Sequence, residues 1–508
     1  MLVANNLSFL AEKFELLPAN QFRGHSGRNT TDALHVLTSS VKNAWCSGKV
    51  AAALFLDIQG AFPNTYKNQL LHNMKCWKIP SCYIKLIDKM LSGRKTRLHF
   101  DNFISKPINI QNGTTQGCPL SMILYAFYNA PLILVANEKN ETALGFVNDS
   151  MFLAIANNLT DTHKTLKMMM ERTNRGFEWS HTHNSPFEPN KLALMNFPRS
   201  SADIIPGDLT LIRTHTDAPP LYITVKMMRK YKYLGVILEL NLRWTLHHQK
   251  VVANAAWWTH QVTCLSKISG GLSPKHMRQL YNTVAIPTFT YAADIWYTVP
   301  HISPSGSKQL GSVALSKKLT SIQQSAAKLI TGALKSTAGD VLEAHANLLP
   351  IDLLISKIIF RAATRLSSLP QMHPLFKLVR RAAKRHVLRH RSPLHHIFHI
   401  TNIIPNSIET ITPIRQHHNF KPKFTTTILK DKDKALTAAN NLHNTKYTIY
   451  CNGSSFKNGI GAAAVMYINK TESQSLKYHL GPSAKHMVYE GELVGLVLAF
   501  QLLLSFPL

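Results

Sequence analysis

The sequence predicts a mixed α/β (α+β) fold, and three observations carry that expectation. Apolar runs of strand length, KVAAALFLDI (49–58) foremost, alternate in the first half with capped helical periodicities. From 245 to about 385 the pattern is mostly helical and basic, and at 446 it returns to strand. The chain is 45% hydrophobic over 508 residues, enough to bury real cores and to exclude global disorder. The length corresponds to about three domains.

In chain order, Asn29 to Asp32 can cap a helix over 29–46 whose inner face is Leu34, Leu37, Val41 and Ala44. The run 49–58 reads as a buried central strand, and it reaches a carboxylate, Asp57, at the edge of the core. Residues 95–104 read as a hairpin, NGTTQGCP (112–119) as a glycine-rich turn, and the apolar run after it as a buried helix. TALGFVNDSMFLAIA (142–156) reads as two strands joined at Asn148-Asp149, residue types that tolerate positive φ. A helix is expected over 158–179, with Leu166, Met169 and Met170 on one face, and then strands in NKLALMNF and YKYLGVILEL. Residues 386–430 contain His and Pro with weak periodicity, which predicts a basic linker continuing to about 445. KYTIYCNGSS and GIGAAAVMYI then open a small domain at 446.

The charge balance, 57 Lys and Arg against 27 Asp and Glu, gives +30 and points to a polyanionic partner. Seven of the cations fall between Lys377 and Arg391 with no acid among them. The six cysteines are scattered, with no CxxC pair, which argues against a disulfide scaffold or a zinc knuckle and fits a reducing compartment. The five His between 386 and 399 have neither Cys partners nor fixed ligand spacing, so no metal box is expected there. No signal peptide is apparent, and no membrane association is expected. The uncharged run 119–136 is interrupted by Ser121, Asn129 and Pro131, and the last 16 residues are too short to span.

Two carboxylates brought together from separate strands, here Asp57 and Asp149, form a site for hard divalent cations such as Mg²⁺. A lone Asp at a strand end is more often a cap or a turn residue, so these two gain weight only from their context. That context is a series of segments in order: QFRGHSGRNTTDAL (21–34), LFLDIQGAF (54–62), SGRKTRLHFD (92–101), NGTTQGCPLSMILY (112–125), GFVND (145–149), FEPNKLALMNF (187–197) and YKYLGV (231–236). Together they resemble the reverse transcriptases of non-LTR (LINE-type) retrotransposons, most closely those of fungi.

The resemblance implies a right-hand polymerase, with fingers and palm over 1–240 and a helical thumb and connection over 241–385. It also implies a two-metal RNA-directed DNA polymerase that uses Mg²⁺ (or Mn²⁺), an RNA template, a DNA primer and dNTPs. By the same resemblance Asp57 and Asp149 hold the metals and Lys191 protonates the leaving pyrophosphate. Phe62 is the steric gate against a ribose 2′-hydroxyl. Gln116 and Gly117 line the nucleotide pocket, and Arg28 lies near the triphosphate. Arg94, Lys95 and Arg97 of the SGRKTR block join Lys377, Arg380, Arg381, Lys384 and Arg385 as contacts to nucleic-acid phosphates. LYNTVAIPTFTYAADIWY (280–297) resembles a block of the thumb and connection, where Trp257, Trp258, Trp296 and Tyr297 accompany the charge. Nuclear action is implied only by the family.

At the other end, YTIYCNGSSFKNGIGAAAV (447–465) and YEGELVGLVLAF (489–500) resemble the opening of a ribonuclease H domain, with Asn452 and Glu492 at its first two acidic positions. The resemblance stops with the chain, so a partial ribonuclease H-like domain over 446–508 is expected, and fingers cut short at the N-terminus.

Two departures bear on activity. Asn148 stands where the family has the first Asp of its Asp-Asp pair, and Asn452 replaces the first ribonuclease H Asp. A unit charge near 4 Å at an effective dielectric of 20 is worth about 4 kcal/mol, or roughly three decades in rate. The sequence therefore leaves two readings open: an impaired polymerase, or a catalytically inactive nucleic-acid-binding remnant of such an element.

Overall fold

The structure is a computed structural model. It describes all residues except 116, 216–217, 267–270, 303–308, 386, 388, 413–415, 418, 422, 430, 442–445 and 506–508. The described chain divides into two units, Met1–Asn419 and Phe420–Leu508.

In the first unit a helix α1 (Leu2–Lys13) precedes α2 (Thr30–Cys46). The N-terminus of α2 is closed by a capping box: the Asn29 side chain accepts from the Asp32 N–H, and the Asp32 carboxylate accepts from the Asn29 N–H. Strand β1 (Val50–Asp57) is covered on both faces. Its alternate residues divide cleanly between two cores, Ala51, Ala53 and Phe55 to one and Ala52, Leu54 and Leu56 to the other. Helices α3 (Lys67–Cys76) and α4 (Ser81–Leu91) follow. Next comes a nested hairpin in which β2 (Arg94–Thr96) pairs with β5 (Ile108–Ile110) around β3 (His99–Phe100) and β4 (Phe103–Ile104). The hairpin expected over 95–104 is thus the inner part of a longer one.

Helix α5 (Pro119–Ile133) is buried along nearly its whole length, as its charge-free and mostly apolar sequence requires. Strands β6 (Glu141–Phe146) and β7 (Asp149–Ala156) form the site hairpin. The helix expected over 158–179 is in fact two, α6 (Leu159–Glu171) and α7 (Gly176–Thr182). The break has a tertiary cause. Asn174 takes a positive φ of 60°, and Arg175 turns inward to bond Glu141 (Nη1–Oε2 2.9 Å) and Asn137 (Nη2–Oδ1 2.8 Å). Strand β8 (Ala193–Phe197) completes an antiparallel sheet of order β6-β7-β1-β8.

Strands β9 (Leu209–His215) and β10 (Ala218–Val225) form a hairpin, and so do β11 (Lys230–Tyr233) and β12 (Val236–Glu239). From there the unit is helical: α8 (Thr245–Leu265), α9 (Pro274–Leu280), α10 (Ile286–Phe289) and α11 (Ala293–Trp296), a two-residue pairing of β13 (His301–Ile302) with β14 (Gln309–Leu310), then α12 (Val313–Thr331), α13 (Gly339–His345), α14 (Ile351–Ser367), α15 (Leu375–Lys384) and α16 (Pro393–Thr401).

Helix α16 corrects the linker expectation at its start. Leu394, Ile397 and Phe398 are buried in the core shared with α2 and the sheet. Its apolar stripe of three residues is too short to stand out from the surrounding His and Pro.

Two buried polar links, 259 and more residues apart in sequence, join α2 to the helical part. Asp32 takes Arg365 on both carboxylate oxygens (Nη2–Oδ1 2.6 Å, Nη1–Oδ2 3.3 Å), with His373 Nε2 3.5 Å away. His35 Nε2 meets Asp294 Oδ2 at 2.9 Å. Burial alone would raise the Asp32 pKa. The bonds and charges of His373 and Arg365 outweigh it and hold the carboxyl down at about 2.

The second unit begins, among its described elements, with α17 (Lys432–Asn441). It continues with an antiparallel sheet of order β15 (Tyr447–Phe456), β16 (Gly459–Ile468) and β17 (Thr471–Pro482), crossed by α18 (Val488–Leu504). Its buried apolar core cluster is Ala462, Ala464, Met466, Leu498 and Leu502. Among the described residues no helix is long and apolar enough to cross a membrane.

Candidate active site

The antiparallel register of β1 and β7 runs from Val50 opposite Ala156 to a last pair, Asp57 opposite Asp149. Directly opposed residues lie about 5 Å apart, so the fold itself brings two like charges together at the end of the sheet. The Asp149 carboxyl is pushed above its ordinary range, first by burial and then by the Asp57 charge. That is the electrostatic signature of an anionic site that a cation would relieve.

Lys191, delivered by a short 3₁₀ turn before β8, donates from Nζ to Asp57 Oδ2 at 2.9 Å. The bond and charge of Asp57 raise the lysine pKa, so Lys191 stays protonated.

The hairpin tip differs from the sequence expectation. Phe146 pairs with Asp149, so the two loop residues are Val147 and Asn148. The positive φ falls on Val147 (60°), not on Asn148 or Asp149. A two-residue loop with φ > 0 at its first position follows the pattern of a type II′ turn, and a β-branched residue is strained there. A residue outside the expected site set secures it. Asn129, fully buried on α5, donates from Nδ2 to the Val147 carbonyl at 3.1 Å. Its only signal was a lone Asn inside an apolar run.

Phe62 is half-buried, five residues beyond Asp57, with its ring 5.1 Å from that of Tyr125. The glycine-rich turn is pinned to the same segment. Gly113 N–H donates to the Thr65 carbonyl and Thr114 N–H to that of Phe62, both at 2.8 Å. A Cβ on Gly113, whose φ is 89°, would fall 2.5 Å from the Pro63 carbonyl oxygen. Gly117 also has a positive φ (82°), and Gln116 lies outside the described residues.

Arg28 is turned toward its own loop: Nη1 donates to the carbonyls of Ala19 and Gln21, the latter at 3.0 Å. Burial lowers its pKa to about 10 despite the nearby charges of Glu12 and Asp32. Tyr231 of β11, another residue not singled out beforehand, stacks on Phe55 at 4.3 Å. Its phenol is held protonated by burial and by the charges of Asp149 and Asp57.

Residues 2–238, which contain every one of these groups, match the family model described as reverse transcriptase (RNA-dependent DNA polymerase). The segment is a reverse transcriptase domain. Among curated proteins the chain is similar to the probable RNA-directed DNA polymerase from transposon X-element of Drosophila melanogaster, 24% identical over 342 residues. That alignment covers 65% of this chain and 34% of the relative. The RNA-directed DNA polymerase from mobile element jockey of Drosophila funebris is 24% identical over 303 residues, 58% of this chain and 31% of the relative. The chain thus spans about a third of the length of the curated relatives it matches. The kinship with non-LTR retrotransposon polymerases holds, while these insect relatives lend nothing to the fungal leaning. Apo telomerase from Candida tropicalis aligns with a TM-score of 0.35 at 10% identity, over 74% of this chain and 59% of that one, a likeness too weak to argue from.

Reverse transcriptases as a family use divalent metal ions. Asp57, Asp149 and the Asn148 amide are all hard oxygen donors, the kind such ions take. Among the described residues no group of three or more His, Cys, Asp and Glu gathers as a metal site. Among the described residues the end of the β1–β7 pair carries two carboxylates, Asp57 and Asp149, with Asn148 beside them.

The basic residues divide by role. Arg94 is engaged by the carbonyls of Leu91 (3.2 Å) and Asn112 (3.0 Å), so it closes the nested hairpin, whereas Lys95 and Arg97 are exposed. On α15, Leu375, Val379 and Ala382 face inward and Lys377, Arg381 and Lys384 face solvent.

In the second unit, Asn452 sits on β15 opposite Ala463 and is exposed, as is Glu492 in the second turn of α18. Their backbones approach closely through glycines. A Cβ on Gly453 would lie 2.1 Å from Glu492 N, and one on Gly495 3.2 Å from the Asn452 carbonyl oxygen. The Glu492 charge adds to burial in raising the Cys451 thiol pKa.

Proposed function

We propose that this chain is the polymerase part of an RNA-directed DNA polymerase of a non-LTR retrotransposon, extending a DNA primer on an RNA template with dNTPs. The observation that carries the reading is the terminal β1–β7 pair, Asp57 opposite Asp149, with Lys191 on Asp57. In this reading Asp57 and Asp149 hold Mg²⁺ (or Mn²⁺), and the Asn148 amide oxygen supplies a weak third donor. When bound, the cation activates the primer 3′-oxygen and neutralises charge on the leaving group.

Lys191 is the resting counter-charge of Asp57. Once Asp57 turns to the cation, the protonated lysine is free to give its proton to pyrophosphate. Phe62, backed by Tyr125, forms the floor against a 2′-hydroxyl, and Gln116 and Gly117 line the nucleotide pocket. Arg28 contributes by fixing the 19–28 loop beside that pocket. Lys95, Arg97, Lys377, Arg381, Lys384 and Arg385 neutralise phosphates without reading sequence. Asn452 and Glu492 are the remnant of a ribonuclease H centre.

The test is primer extension on an RNA template by the full chain, by Asn148→Asp and by Asp57→Asn in that background. The reading expects weak extension by the chain, a gain of about three orders of magnitude for Asn148→Asp, and complete loss for Asp57→Asn. Extension that survives Asp57→Asn would overturn it. The inactive-remnant reading, which Asn148 favours, takes its place if Asn148→Asp binds template-primer and still does not extend.

A further inference from the structure

The nested hairpin over 94–110 stands clear of both cores: none of its residues belongs to either apolar cluster of the first unit. Leu98, Phe100, Phe103, Ile104 and Ile108 are nevertheless apolar and exposed. At the tip Phe100 pairs with Phe103 across the two-residue turn Asp101–Asn102, and the two rings lie 5.0 Å apart at 33°. These two residues are 59% and 51% exposed. A contiguous apolar set left in water marks a surface that meets a partner.

The charges around the tip narrow the choice. Lys95, Arg97 and Lys106 are exposed on the same hairpin against one acid, Asp101. A second copy of the chain, itself at +30, would bring like charges together. A nucleic-acid strand offers what both features want, phosphates for the cations and flat bases for the rings. The bases must be unpaired, because a duplex keeps their faces inside its own stack.

Placement agrees. At the root of the hairpin, Arg94 holds the Asn112 carbonyl, and the next residues, Gly113 and Thr114, are pinned to the segment of Phe62. The tip therefore extends up to roughly 20 Å from the glycine-rich turn, at about 3.3 Å per strand residue.

We propose that the Phe100–Phe103 tip is a stacking platform for bases of an unpaired stretch of the RNA template. This rests on the polymerase reading, in which Lys95 and Arg97 already meet phosphates and the template is the strand with unpaired bases. It adds the group that takes those bases.

The experiment measures binding of a short fluorescein-labelled oligouridylate to the full chain by anisotropy, across a salt series. Phe100→Ala with Phe103→Ala should weaken binding about tenfold or more. The log–log salt slope should stay as it was, since no phosphate contact is lost. Phe100→Leu with Phe103→Leu keeps apolar area but no ring, and should weaken binding nearly as much. Phe100→Trp should bind at least as tightly as the native chain. An abasic oligomer of the same length should be indifferent to the alanine pair. Leu353→Ala with Phe360→Ala, both exposed on α14, should change oligouridylate affinity less than about threefold.

Native affinity in the leucine pair would overturn the stacking platform, because any apolar contact would then suffice. Equal loss from the α14 pair, or equal loss for the abasic oligomer, would overturn it as well. So would an alanine pair that keeps the oligouridylate but no longer binds vesicles of anionic phospholipid, which would assign the tip to a membrane surface. Binding is read without turnover, so a chain that never extends a primer can still support this inference. A chain that extends but binds oligouridylate independently of both rings refutes it alone.

Discussion

The two units hold a site residue on a β-strand in opposite ways. In the first, β1 is buried on both faces, its odd and even residues feed separate cores, and Asp57 emerges at the very end of the sheet opposite Asp149. In the second, Asn452 lies mid-strand on a three-stranded sheet with one crossing helix, and the core cluster is five buried apolar residues. The far side of α18 leaves Leu493, Leu496, Val497 and Phe500 exposed. A site gains rigidity from layers on both sides of its strand. The difference teaches that the end of β1 is braced by layers on both sides, whereas the strand that carries Asn452 is braced on one.

The sharpest way to break the comparison is to attack what supports each unit. Asp32→Ala removes both the capping box and the carboxylate of the Arg365 and His373 link. A cost of about 3–4 kcal/mol is expected, at the low end for a buried pair because Arg365 is one-third exposed and water takes up its charge. Urea unfolding of the first unit measures it. The pH dependence has a definite sign. The folded-state pKa of Asp32 is depressed, so its stabilisation is fully present above the ordinary value of 3.8 and is lost as pH falls through about 2. The penalty of Asp32→Ala should therefore shrink only below about pH 4.

In the second unit the support is close backbone approach, and Gly453→Ala tests it. The added methyl meets Glu492 N and must push α18 off β15, at an expected cost of about 2–3 kcal/mol, read as lost protection of the β15–β16 amides in hydrogen exchange.

A smaller effect separates positioning from stability in the palm. Asn129→Leu, in the Asn148→Asp background, removes the bond to Val147 and also an amide oxygen that has no partner. Stability should change by less than about 1 kcal/mol while extension falls roughly tenfold. Equal losses in both would make Asn129 merely structural. The smallest expected effect is none. Asn452→Asp should produce no RNA hydrolysis from an RNA–DNA hybrid, because the strand is braced on one side only and no metal-binding cluster surrounds it among the described residues. Hydrolysis by that variant would show the two units to be equivalent after all.

Much of the palm was legible in sequence because local forces write it there. The apolar run 50–56, the cap at Asn29 and Asp32, the paired strands around residues 147–148 and the Gly-rich turn each follow from contacts a few residues apart. Where such signals are weak, the structure departs from the sequence expectation. The α6–α7 break depends on Arg175 reaching Glu141, and the φ of Val147 is imposed by the tight register of β6 with β7 although Asn148 is the easier residue to strain.

The sequence by itself determined which residues could do chemistry, since motif order, carboxylate identity and the Asn at 148 and 452 are properties of the chain. Only the tertiary structure decided that Asp57 and Asp149 are opposed, that Arg28 serves its own loop, and that α16 belongs to the core. It alone decided that α2 is tied to α14 and α11 by polar links between residues far apart in sequence. The physical reason is range. Periodicity and capping act over one helical turn or one strand pair, whereas Asp32 and Arg365 are 333 residues apart and meet only after two cores have closed between them.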